Sequence, residues 1–248
     1  MKKILITGAG GYLGRGLIKP LIGKYSLRLM DVAKFERKEH EVFIGDVGEI
    51  ETVRKAVQGM DAIVIAHMAS SQAGAYKTPE VCFDANVKGT ANLFFAAAEK
   101  GVKRAILISS ISVTHGYQGR AYCEHDLPPK ANELYGLTKV CQEVVAEHFY
   151  RVHGLKVAVL RVGGIVDADT MINKYGKKVE YPAEIYIDPR DIGEAVRLAL
   201  ELPDLEYESF VLIGSPLAEK KYDIEYSRKR LSWKPKYDFR GPAQSPKI

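Results

Sequence analysis

Tyr135 and Lys139 stand four residues apart in the run ELYGLTK (133–139), within a stretch, 132–153, whose pattern predicts a helix. Both side chains therefore share one helical face. Upstream, the apolar run Ile106-Leu107-Ile108 ends in Ser109-Ser110, a strand that terminates in hydroxyls. A phenol, an ammonium and a hydroxyl brought together make a proton-transfer site. Free tyrosine, with a pKa near ~10, is a poor base at neutral pH. An ammonium beside it favours the phenolate, and the Ser110 hydroxyl would hold the oxygen of the reacting group. A Tyr-x-x-x-Lys pair alone also suits an ordinary helix surface, so this reading depends on what surrounds it.

The chain opens MKKILITGAGGYLG. Ile4, Leu5 and Ile6 read as a buried strand, and Gly8, Gly11 and Gly14 follow at once in the spacing T-G-x-x-G-x-x-G. A glycine-rich turn between a first strand and a first helix brings backbone N–H groups up to a pyrophosphate, with the helix dipole in support. Gly8 permits the tight turn, Gly11 leaves room for the phosphates, and Gly14 lets the helix pack close to the sheet. The same spacing also suits a tight turn with no ligand. Asp31 adds to the dinucleotide reading. It ends the second strand, roughly 20 residues past the turn, where a carboxylate bonds the adenosine ribose hydroxyls and repels a 2′-phosphate. NAD is therefore expected over NADP, with Lys34 close enough to soften the preference. Asp46, after the third strand, is placed for the adenine edge or as a helix N-cap. A bound nicotinamide would add its positive charge to that of Lys139, which would also hold the nicotinamide ribose.

These groups need a scaffold. Strands are expected over 3–7, 26–31, 42–44, 61–66, 104–109, 156–161 and 210–213, and helices over 12–23, 49–58, 79–100, 132–153 and 189–200. Strand and helix in alternation imply crossover connections and a parallel sheet covered on both faces. The 248 residues, 46% of them hydrophobic, suit one α/β domain over 1–248, with 165–188 and 215–248 as small substrate-side elements. The net charge of +5 is scattered apart from Ser227–Arg230, so no nucleic-acid partner is expected. Cys82, Cys123 and Cys141 form no metal-ligand spacing, and a reduced cytoplasmic setting fits them. The apolar runs are too short for a signal peptide or a membrane span, so a soluble protein is expected.

The ordered set TGAGGYLG (7–14), Asp31, GDV (45–47), AHMA (66–69), ANVKGTANL (85–93), ISS (108–110), YGLTK (135–139), LRVGG (160–164), IDPRDIG (187–193) and RKRLSWKPKYDF (228–239) carries a resemblance. Over nearly its whole length the chain resembles the extended short-chain dehydrogenase/reductases, the NAD-dependent epimerase/dehydratase family. The resemblance implies a Rossmann-like, doubly wound parallel sheet with a very small C-terminal substrate lobe. It implies NAD held by Gly8, Gly11, Tyr12, Leu13, Gly14, Asp31, Asp46 and Val47, then by Ala66, His67, Met68, Asn86, Ile108, Tyr135 and Lys139. Tyr135 would be the base, Lys139 its modulator, and Ser110 the substrate's hydroxyl ligand, with Ser112 as competitor. Asn86 would fix local backbone geometry, and His67 would pack beside the cofactor.

Only about two dozen residues separate Gly164 from Asp188, too few for the nucleotide-gripping lobe of many family members. In size the chain is similar to uronate dehydrogenases, which oxidise the C1 hydroxyl of a free sugar acid. Those place Asn-His after the serine, where this chain has Ile111-Ser112, and use a downstream arginine for the carboxylate, where this chain has Asn173-Lys174, with Lys177 and Lys178 beyond. The substrate, a small sugar or sugar acid, is thus expected against Ser71, Gln72, Ser110, Ile111, Ser112, Gly164 and Lys174. His115 and His125 flank the same region, and Trp233 reads as a packing anchor. The leading expectation is net oxidation of a hydroxyl; an epimerase that re-reduces its substrate and a non-catalytic dinucleotide sensor are the alternatives. The family's habit of pairing two long helices implies a homodimer through 80–100 and 132–153.

Overall fold

The structure is a computed structural model that describes residues 1–70, 74–117 and 119–241. The chain begins β1 (Lys3–Thr7), α1 (Tyr12–Ile18), β2 (Ser26–Asp31), β3 (Glu41–Ile44), α2 (Ile50–Val57) and β4 (Ala62–Ile65). It continues through α3 (Pro79–Cys82), a π-helical turn (Phe83–Lys88), α4 (Gly89–Glu99), β5 (Arg104–Ser110), α5 (Leu134–His153) and β6 (Lys156–Val162). Then come β7 (Gly164–Asp167), β8 (Ile172–Asn173), β9 (Tyr186–Ile187), α6 (Pro189–Glu201), β10 (Tyr207–Leu212) and α7 (Ile224–Arg230).

Seven strands form one sheet in the order β10-β6-β5-β4-β1-β2-β3, and every pairing in it is parallel. Period-two alternation sends neighbouring residues to opposite faces. Ile4 and Ile6 join Leu17, Ile192, Val196 and Trp233 on one side. Leu5 joins Val53, Leu93, Phe94 and Phe149 on the other. This is the doubly wound, Rossmann-like sheet expected from the alternation of elements. The strand order switches direction between β1 and β4, which opens a crevice at the strands' carboxyl ends. The small sheet β8-β7-β9 stands beside that crevice.

Several boundaries differ from expectation. The first helix stops at Ile18 rather than at residue 23, and a tight turn over Lys19–Leu21 follows. Pro20 cannot supply the N–H that a longer helix needs. The expected helix over 79–100 is divided by the π-helical turn, whose buried Asn86 bonds outward to the Ala69 N–H at 2.7 Å and the Thr138 hydroxyl at 2.9 Å. The helix expected from residue 132 starts at Leu134. The last sheet strand begins at Tyr207, three residues before the expected start, because the half-exposed Tyr207, Glu208 and Ser209 hide it from a hydropathy reading.

Gly14 does not pack on the sheet as expected; a Cβ there would sit 2.4 Å from the Ala9 carbonyl oxygen, so its neighbour is the turn itself. The close helix contact belongs to Gly16, where a Cβ would meet Pro189 at 2.3 Å. This brings α1 against the start of α6, whose N-cap is Asp188.

The segment after Gly214 is pinned to the same helix. Asp191 accepts the backbone N–H groups of Lys236 (2.9 Å) and Tyr237 (3.1 Å), and the indole of the buried Trp233 donates to the Asp191 carbonyl at 3.0 Å. Burial pushes the Asp191 carboxyl up to about 6 against those two bonds. The folded state thus holds this proton more tightly than the unfolded chain. Stability from this group is greatest below pH ~4 and declines as pH rises to about 6. Asp191→Asn keeps one acceptor and removes the titration. Its melting temperature should lie below wild type at pH 4, and the gap should narrow by several degrees by pH 7; a gap independent of pH would contradict the assignment.

Candidate active site

The crevice at the carboxyl ends of the strands encloses about 840 Å³ and runs from Asp31 and Asp46 at one end to Tyr135, Lys139 and Lys174 at the other. The glycine turn forms its floor. Gly8 has φ +70, and a Cβ there would lie 2.8 Å from the Ala66 oxygen and the His67 backbone, so only glycine fits. A Cβ on Gly11 would meet just the Gly8 oxygen, at 3.3 Å, so this backbone faces open crevice. Asp31 accepts the Gly10 N–H at 3.0 Å through one oxygen and the Ala33 N–H at 3.1 Å through the other. Each oxygen keeps a lone pair for a ribose hydroxyl. The open turn, that carboxylate and the length of the crevice fit a dinucleotide. Asp46 bonds the Gly48 N–H at 2.7 Å and shapes the turn, while Glu49 is the N-cap of α2. Its capping alternative therefore falls, and Asp46 lines the crevice beside Val47.

His67 follows β4 with both ring nitrogens engaged. Nε2 faces the Ala85 carbonyl at 3.0 Å and so carries the proton, leaving Nδ1 to accept from the Thr7 hydroxyl at 2.9 Å. Burial first, and Lys139 second, push it down to about 4, so it is a neutral wall of the crevice.

At the other end, Ser110 closes β5 and Tyr135 opens α5. Burial pushes the Tyr135 phenol well above its usual value, while the adjoining Ser110 hydroxyl pulls the other way. Lys139, one turn further on, is buried, donates to the Ile108 carbonyl at 2.9 Å, and has its Nζ 6.0 Å from the Tyr135 ring centre. Burial and the Lys174 ammonium push Lys139 down to about 7, and Glu143 opposes them. Lys174 hangs over the crevice from the far side, 5.3 Å from the Tyr135 ring and 5.1 Å from the Tyr175 ring. It makes no ion pair among the described residues, and burial lowers it.

Of the expected residues, Gly8, Gly11, Tyr12, Leu13, Asp31, Asp46, Val47, Ala66, His67, Met68, Ile108, Ser110, Ile111, Ser112, Tyr135, Lys139, Gly164 and Lys174 all line this one crevice. Gly14 and Asn86 do not. Gly14 is closed off by Ala9. Asn86 spends its amide on Ala69, Thr138 and the Tyr76 hydroxyl, and Thr138 in turn donates to the Tyr135 carbonyl at 2.7 Å. Ser71 and Gln72 lie outside the described residues, while the adjacent Ser70 lines the crevice. His115 lines it too, but His125 is turned away, bonded to Asp223 at 2.7 Å and stacked on Tyr226. Lys177 and Lys178 do not reach it.

Sequence reasoning missed Glu133, Tyr175, Ile185 and Tyr186, which line the crevice with Tyr135 and Lys174. It also missed Tyr76, whose ring meets Tyr135 edge-on at 5.3 Å. No spacing rule reaches residues supplied by irregular segments. Glu143 and Arg161, a buried ion pair behind the site, carried a visible signal as charges inside apolar runs. No group of three or more His, Cys, Asp or Glu among the described residues is placed to hold a metal ion, and no described helix is long and apolar enough to cross a membrane.

A parallel sheet of this order, with a glycine turn at its switch point and Ser, Tyr and Lys at its carboxyl edge, defines the short-chain dehydrogenase/reductase class. Residues 4–168 match the NAD dependent epimerase/dehydratase family, and the chain belongs to it. It is an NAD-dependent enzyme of the dehydrogenase and epimerase type. An NAD-dependent glucose-6-phosphate dehydrogenase of Haloferax volcanii is 26% identical over 256 residues, covering 94% of this chain and 92% of its own. A uronate dehydrogenase of Pseudomonas syringae pv. tomato is 30% identical over 166 residues, 65% of this chain and 58% of that one. Among solved structures, a short-chain dehydrogenase/reductase superfamily protein from Agrobacterium tumefaciens with bound NAD superposes with TM-score 0.81 at 19% identity, covering 96% of this chain and 93% of that one.

Lys139 carries a testable consequence. Its folded-state pKa lies below that of the unfolded chain, so wild type gains stability from this group as pH rises from about 7 toward ~10.4. Lys139→Met lacks that gain. The melting-temperature difference, wild type minus variant, should grow by several degrees between pH 7 and pH 10, and a flat difference would mean an ordinary, solvated lysine.

Proposed function

We propose that the enzyme oxidises a hydroxyl of a small sugar acid, with NAD as acceptor and Tyr135 as base. One observation carries the substrate class. Lys174, an ammonium with no ion pair among the described residues, and Ser112, whose buried Oγ has no partner among them, line the crevice at the end that holds Tyr135. A substrate carboxylate supplies the ion pair that Lys174 lacks, since Glu133 in the same crevice acts on it only from beyond ion-pair distance. The segment 165–188 contributes Ile165, Asn173, Lys174, Tyr175, Ile185 and Tyr186 to the crevice, a short wall that suits a free sugar acid rather than a nucleotide-linked one. The names of the uronate and glucose-6-phosphate dehydrogenases among its relatives point to the same class of anionic sugar.

In this reading the Tyr135 phenolate takes the hydroxyl proton. The Lys139 ammonium stabilises the phenolate and holds the nicotinamide ribose, and the Ser110 hydroxyl donates to the reacting oxygen. Bound NAD supplies the hydride acceptor. Gly8, Gly11, Tyr12 and Leu13 present its phosphate cradle and Asp31 its ribose acceptor, while Ala66, His67, Met68 and Ile108 wall it in. Ile111 and Gly164 bound the substrate. The whole chain then acts as one NAD-binding unit with 165–188 on the substrate side.

The test is a panel of uronic acids, sugar phosphates, aldoses and polyols incubated with NAD⁺, read as nicotinamide absorbance. Net reduction is expected with a uronic acid. Tyr135→Phe should lower kcat by about 10²–10⁴. Lys174→Met should raise KM for the acid at least tenfold and leave a neutral sugar little affected. Net reduction with neutral sugars alone, unchanged in Lys174→Met, would reject the sugar-acid reading; turnover without net reduction would make the enzyme an epimerase.

Leu137, Val144 and Val152 are exposed along α5, and Phe95 is exposed on α4, which packs against it. We propose that this apolar stripe pairs two copies of the chain. Val144→Glu should convert a dimer to a monomer in sedimentation velocity, and a wild type already monomeric at micromolar concentration would refute the pairing.

A further inference from the structure

Tyr12 is the first residue of α1, directly after Gly11, so its backbone belongs to the proposed phosphate cradle. Its hydroxyl does not. It donates to the Ile172 carbonyl at 2.6 Å and accepts the Asp167 N–H at 2.8 Å. Asp167 and Ile172 are register partners in the antiparallel pair β7–β8, so one phenol spans both strands of that hairpin. Two residues past Ile172 stands Lys174. Lys174 lies in the turn that continues β8, where the Asn173 side-chain oxygen accepts the N–H groups of Tyr175 (2.9 Å) and Lys177 (3.0 Å), and its own N–H reaches the Ile165 carbonyl at 3.4 Å. A displacement at Ile172 is therefore passed on to the Lys174 ammonium. The hairpin is also held by the Ala168 N–H to Asp188 at 2.9 Å, at the end away from Lys174, and by the pairing of β7 with β9.

We infer that Tyr12 is a positioning residue through which NAD on the glycine turn fixes the β7–β8 hairpin, and with it the Lys174 ammonium, against Tyr135. The inference rests on the NAD and substrate placement proposed above. Phosphates that order the turn hold the α1 terminus still, and the Tyr12 hydroxyl carries that restraint across the crevice to β7 and β8. The coupling is reciprocal, so an occupied substrate end strengthens dinucleotide binding.

The test is hydrogen exchange by mass spectrometry on the full chain, with and without NAD, in wild type and Tyr12→Phe. Phenylalanine keeps the ring and removes both hairpin bonds. In wild type, NAD should slow exchange severalfold in peptides covering 7–18 and also 164–176. In Tyr12→Phe the turn should still be slowed, while the effect on 164–176 falls below twofold. Equal slowing of the hairpin in the variant overturns the inference, as does wild-type slowing confined to the turn. No slowing at either segment in wild type overturns the inference and the NAD placement together. A merely structural tyrosine would lower the melting temperature of Tyr12→Phe and leave the NAD-dependent change at the hairpin intact. Steady-state kinetics give a second readout: KM for the acid should rise about tenfold in Tyr12→Phe, more than kcat falls.

Discussion

The site depends on a buried carboxylate. Glu143, on α5, accepts the Ser109 hydroxyl at 2.6 Å and two nitrogens of Arg161 at 3.1 and 2.9 Å. Arg161 lies near the carboxyl end of β6 and uses its remaining amine on the carbonyls of His125 and Leu127. A buried ion pair gives little net stability over an apolar packing of the same shape. It does restrict geometry, because a helix slipped or rotated by one residue would leave a full charge unpaired in the core. Glu143 sits one helical turn beyond Lys139, which sits one turn beyond Tyr135. Fixing Glu143 against β5 and β6 therefore fixes the depth at which phenol and ammonium meet Ser110.

That arrangement leaves the reacting groups in reluctant charge states. Burial raises Tyr135 and lowers Lys139, so each resists its ionised form, the form in which the proposed mechanism uses it. Lys174 adds to the difficulty by repelling Lys139 across the crevice. An anion against Lys174 removes that repulsion and restores the Lys139 ammonium, and the ammonium in turn favours the phenolate. In the proposed mechanism, proton abstraction is thereby tied to an anion beside Lys174.

Much of this was legible in the chain. Ile4 to Gly14 encodes strand, turn and helix in residues whose spacing admits few other readings, and Asp31 closes the same unit. Tyr135 and Lys139 were legible because four residues is one turn of helix. What stayed hidden depends on tertiary placement. β8 and β9 are two residues each and carry no periodicity. Tyr175, Tyr186 and Glu133 come to the site from segments that obey no repeat. Gly14 was misplaced because a glycine's neighbour is set by which backbone folds over it, and that is Ala9 rather than the sheet. His125 reads like a crevice histidine until Asp223 and Tyr226, about a hundred residues later in the chain, are seen to claim it.

A short segment between β6 and α6 walls one side of the crevice. β7 pairs with β9 and β8, and beneath them Val166, Ala168, Met171 and Ala183 close on Phe239. The Ala183 N–H bonds the Phe239 carbonyl at 3.1 Å, so the segment after α7 underpins the hairpin from outside. Asp188 supports it from the helix side through Ala168, and Tyr12 from the glycine turn. A hairpin braced on three sides needs little core of its own. Its tip can then offer polar groups such as Lys174 to the crevice, because the apolar residues that would make a larger lobe stable are supplied by elements already ordered for other reasons.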